Sequence, residues 1–91
     1  MSPFDAYLAA KQHRITQDSR LGVARREYAA RQREAKRQWP YHYQEAQRDT
    51  HCAPALLAVR RALEQAELAK NATLAAADAV EDKRLLANEY I

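Results

Sequence analysis

The chain has 91 residues, 47% in the broad hydrophobic class and 30% charged, with 15 Lys+Arg against 12 Asp+Glu, one Gly, three Pro and one Cys. Twenty of its residues are Ala and only 15 are Leu, Ile, Val or Phe, so the expectation is a single domain, 1–91, with a thin core that gains from a partner. The single Gly excludes Gly-rich phosphate loops, the single Cys excludes an internal disulfide or a CxxC zinc site, and no apolar run approaches bilayer-spanning length.

Ser2 as N-cap, Pro3 at the first helical position and Asp5 in the first turn form a helix start signal. Apolar residues then fall at Phe4, Tyr7, Leu8 and Ile15, and afterwards at Leu21, Ala24, Tyr28, Ala35 and Trp39. At ~100° per residue these two stripes lie about 120–150° apart on one helical wheel. The reading is a helix over 3–38 with a kink or short break at Thr16-Gln17-Asp18-Ser19, residues that compete for backbone hydrogen bonds. The alternative is a continuous helix whose two ends face different neighbours.

Pro40 ends this helix, because it cannot donate a backbone hydrogen bond and it disfavours helical geometry at Trp39. An aromatic corner over 39–53 follows, with room for a short helix from Tyr41 to Asp49. Asp49, Thr50 and Pro54 repeat the cap-then-proline signature, which starts a second long helix over 54–90. Its Leu56, Val59, Leu63 and Ala66 are spaced at three and four, and the pattern then broadens through Leu74, Val80, Leu85 and Leu86. Glu67 with Lys70 and Glu81 with Arg84 are helix-supporting pairs. The fold class is all-α, a small helical hairpin or three- to four-helix bundle with its long N- and C-terminal helices packed antiparallel.

Charge is distributed unevenly. Residues 1–40 carry nine Lys/Arg against four Asp/Glu, whereas 41–91 carry six against eight. Arg25, Arg26, Arg33, Lys36 and Arg37 share one helical face, suited either to an acidic protein surface or to phosphates, although Glu27 and Glu34 sit among them in sequence. Trp39, Tyr41 and Tyr43 bring three of the seven aromatic residues within five positions. They serve as binding anchors or as a plug between helices. His42, His51 and Cys52 lack the paired spacing of a metal site or a Cys-His nucleophile, so neither an enzyme nor a cofactor is expected.

These residues point to a non-enzymatic, cytoplasmic protein–protein interaction module, an adaptor, inhibitor or assembly subunit that contacts another protein or forms a homo-oligomer. Tyr28, Trp39, Tyr41 and Tyr43 are its candidate anchors, and Arg25, Arg26, Arg33, Lys36 and Arg37 its charged rim. The alternatives are a nucleic-acid-binding protein using the helix over 20–37 and a structural subunit of a large particle. No membrane partner is expected.

Overall fold

A computed structural model describes the backbone from Ser2 to Glu89 and the side chains from Ser2 to Lys83. The fold is all-α. Helix α1 spans Pro3–Gln38, a single 3-10 turn spans His42–Gln44 and helix α2 spans Glu45–Glu89, with no strand among the described residues. Ala, Arg, Gln, Glu and Leu dominate both helices, and these side chains lose little rotamer freedom in helical geometry. The side chains of Arg84, Leu85, Leu86 and Glu89, and Tyr90 itself, lie outside the described residues, as does the Glu81–Arg84 pairing.

Ser2 caps α1: its Oγ accepts from the Asp5 N–H at 3.1 Å and its carbonyl from the Ala6 N–H at 3.0 Å. The break expected at 16–19 is absent, since helical geometry runs through all four residues. Thr16 Oγ1 donates to the Gln12 carbonyl at 3.2 Å, a bond compatible with the helix interior, and does not cap a new start. The second helix also begins earlier than expected. Glu45 opens it, and Pro54 lies inside it. Thr50 Oγ1 donates back to the Ala46 carbonyl at 2.9 Å, so Asp49-Thr50 continues the helix and the cap-then-proline signature is overridden.

Contacts divide the chain into two compact units: residues 1–18 with 65–91, and residues 19–64. In the first, α1 turns Pro3, Tyr7, Ala10, Arg14 and Gln17 inward, and α2 turns Ala66, Ala69, Thr73, Ala76 and Val80 inward. In the second, the inward rows run through Leu21, Ala24, Tyr28 and Ala35 and through Arg48, Cys52, Ala55, Val59 and Ala62, with Glu34, His51 and Leu56 half-buried beside them. Each set advances in alternating steps of three and four, the register that keeps one side of a helix against its neighbour, with one further step of seven from Tyr28 to Ala35.

Most of the buried positions are small, with Leu21 and Gln17 the larger exceptions. Ala35 and Ala69 are 1% and 2% exposed, while Phe4, Leu8 and Ile15, the expected core stripe of the first segment, are about half exposed. Leu57, Leu63, Leu68 and Leu74 on α2 also face outward. Ala at the contact lets helix backbones approach closely. In the first unit, Thr73 Oγ1 shares its proton between the Ala69 carbonyl at 2.8 Å and the Ala10 carbonyl of α1 at 3.2 Å. A short side chain reaches the neighbouring helix's backbone only where the facing residues are this small.

Candidate functional site

All nine candidate site residues fall within the unit 19–64. At its corner, the Trp39 N–H makes the last bond of α1, to the Ala35 carbonyl at 2.8 Å, and Pro40 then redirects the chain. Tyr41 and Gln44 satisfy each other: the Gln44 N–H donates to the Tyr41 carbonyl at 2.9 Å, and Gln44 Oε1 accepts from the Tyr41 N–H at 3.1 Å. Arg48 completes the turn, its Nη1 donating to the Trp39 carbonyl at 2.6 Å and the Tyr41 carbonyl at 2.8 Å. A cation therefore closes the carbonyl-rich end of α1, where the helix dipole favours positive charge.

The four aromatic candidates divide. Trp39 is half-buried, with its ring centroid 5.4 Å from that of His51, so it plugs the corner. Tyr41 and Tyr43 stand outside, 62% and 79% exposed, stacked on each other at 5.8 Å with their rings 3° from parallel. An open cleft of about 610 Å³ lies between Trp39, Tyr43 and the Ala46–His51 turn of α2. Tyr28 lies on the inward side of α1, half-buried, beside a cleft of about 200 Å³ that it shares with Lys36, Glu45, Arg48, Asp49 and Cys52.

The five cationic candidates are all exposed. Arg26 and Arg33, two turns apart, occupy the position farthest from the inward row of Leu21, Ala24, Tyr28 and Ala35, and Arg37 and Lys36 are the helical neighbours of Arg33. Glu27 and Glu34 do not interrupt this face. They sit on the flank turned toward α2, where both border a groove with Pro54, Ala55 and Ala58, and Glu34 Oε2 approaches His51 Nε2 at 3.5 Å. None of the five cations is within ion-pair distance of a carboxylate among the described residues.

Sequence reasoning missed Arg48 and the Glu34–His51–Trp39 row. An Arg shortly after a proline corner signals a carbonyl cap, but its target is visible only once the turn is known. His51 Nε2 is buried without a hydrogen-bond partner. Cys52 is buried, and among the described residues no three His, Cys, Asp or Glu side chains converge as a metal site. No described helix is long and apolar enough to cross a membrane. The chain matches no protein-family model, no curated protein and no solved structure.

Proposed function

We propose that the chain is a non-enzymatic helical hairpin that works as a protein–protein interaction module, an adaptor, inhibitor or subunit of a larger assembly in a reducing, cytoplasmic setting. One observation carries this reading: the helices spend Ala on their mutual contact and keep bulky apolar side chains outside. Isolated surface Leu residues are ordinary. Here the usual assignment is inverted, because Ala24, Ala35, Ala66 and Ala69 are buried while Phe4, Leu8, Ile15, Leu57, Leu68 and Leu74 are exposed. Each of those side chains gains about 1.5–3 kcal/mol on full burial, a gain only association can supply.

The test is mass in solution by light scattering, on the wild type and on a Leu68→Glu, Leu74→Glu variant. Glu is a good helix former and both sites are exposed, so each helix persists. The expected result is a discrete oligomer that the variant dissociates. A folded monomer whose melting midpoint stays fixed over about a hundredfold range of concentration would remove the self-associating form.

A further inference from the structure

We infer that the outward face of α1 in the unit 19–64 is a binding surface for the phosphodiester backbone of nucleic acid. This goes beyond the protein-contact reading and does not depend on it. The sequence interleaves Glu27 and Glu34 with the arginines, which argues against a phosphate site; the fold separates them. Both carboxylates are on the flank that meets α2, and Glu34 lies 3.5 Å from His51. Arg26, Arg33 and Arg37 are left as an exposed outward face, with Arg25 and Lys36 on its flank, where Lys36 borders the cleft that also holds Glu45 and Asp49.

Arg33 has Lys36 and Arg37 at helical-neighbour spacing, and like charges so placed repel at about 0.2–0.5 kcal/mol per pair. Among the described residues no carboxylate relieves that repulsion within ion-pair distance. A polyanion does so, and four of the five groups are guanidinium, whose planar fork matches two phosphate oxygens at once. The unit as a whole carries ten Arg/Lys against five Asp/Glu, so its long-range field steers an anionic strand in the same sense. The contacts are to backbone phosphates, and binding is therefore independent of base sequence.

The experiment is fluorescence anisotropy of the full chain with a labelled mixed-sequence duplex and with a labelled single strand of the same length. Five phosphate contacts give a log–log salt slope near −4.5 on duplex and near −3.5 on a single strand, so duplex affinity falls about 500-fold between about 50 and 200 mM salt. An Arg26→Gln, Arg33→Gln variant reduces the duplex slope by about 2. An Arg60→Gln, Arg61→Gln variant removes the same charge from exposed positions on α2 of the same unit and leaves the slope unchanged. Circular dichroism verifies that both variants remain helical. Absence of binding by either nucleic acid at low salt overturns the inference. Equal losses in the two variants also overturn it, since net charge and not this face would then be responsible. A low-salt rise in protein mass without nucleic-acid binding overturns it too, and assigns the arginines to an acidic protein surface.

Discussion

At the corner, residues nine apart in sequence are tied together by the Arg48 bond to the Trp39 carbonyl; at the chain's ends, the Thr73 bond to the Ala10 carbonyl joins residues 63 apart. Loop-closure entropy rises as the logarithm of that separation, so with the rest of the chain unfolded the second contact costs about 1.7 kcal/mol more to close than the first. The comparison teaches an order. The unit 19–64 closes from its own turn, and the end unit profits from having its helices already formed. Hydrogen exchange should accordingly be slower over 19–38 and 45–64 than over 3–18 and 65–80.

The sharpest way to break that asymmetry is to overfill the end unit. Ala69 is 2% exposed and sits one turn from Thr73, in the stretch where Thr73 reaches the backbone of α1. Ala69→Leu adds three carbons where no neighbour can recede without separating the helices. The expected loss is about 3 kcal/mol, the upper part of the range for overpacking. It should appear as a collapse of protection over 3–18 while 19–38 stays slow. Equal loss of protection in both units would mean that they open as one.

How much of this was readable beforehand depended on whether a residue's role follows from local chemistry. The Ser2 cap, the stop at Pro40 and the all-α class did follow, because each rests on hydrogen bonds within a few residues. The inward row Leu21, Ala24, Tyr28 and Ala35 follows as well, whereas the inward side of the first half of α1 does not. Large apolar residues at Phe4, Leu8 and Ile15 point to the wrong side of the helix and suggest a break at 16–19. The structure instead buries the row through Ala10, Arg14 and Gln17, whose alternating three-and-four spacing was present but hidden by two polar members. In α2 the signal was diluted differently, since Ala occurs on almost every face. The signature at Asp49-Thr50-Pro54 is local and still misleading: Pro54 is the tenth residue of α2, where it removes the bond to the Thr50 carbonyl and crowds it at a cost of about 3 kcal/mol, and the helix continues through it. Of the candidate site, the clustering of aromatic residues at the corner follows from sequence, whereas the separation of a half-buried Trp39 from exposed Tyr41 and Tyr43, and the role of Arg48, require the geometry of the turn.

A change at the corner tests the other side of the comparison. Arg48→Met keeps the aliphatic stem and removes both guanidinium bonds, leaving the Trp39 and Tyr41 carbonyls without that donor. Hydrogen bonds to charged groups contribute about 1.5–3 kcal/mol, and partial exposure of the site lowers the expected cost to about 2 kcal/mol. If the corner unit supports the end unit, hydrogen exchange of this variant should show lower protection in both. A loss confined to residues 36–48 would show that the end unit stands without the corner.

The smallest effect belongs to Thr73. Thr73→Val replaces the hydroxyl by a methyl of similar size, so packing against Ala10 is nearly preserved while the donor to two carbonyls is lost. Both carbonyls sit within helices, where backbone N–H groups already donate to them, so neither is orphaned and the cost is that of one neutral hydrogen bond, about 1 kcal/mol. Valine loses somewhat more χ1 freedom than Thr in a helix, which adds a few tenths. That makes Thr73→Val the finest probe of the asymmetry. It should raise exchange at Ala10 to Arg14 and leave the corner unit unchanged. A cost near zero would mean that the bond within α2, from Thr73 to Ala69, holds the hydroxyl alone, and that close approach of the Ala surfaces accounts for the whole of the end unit's cohesion.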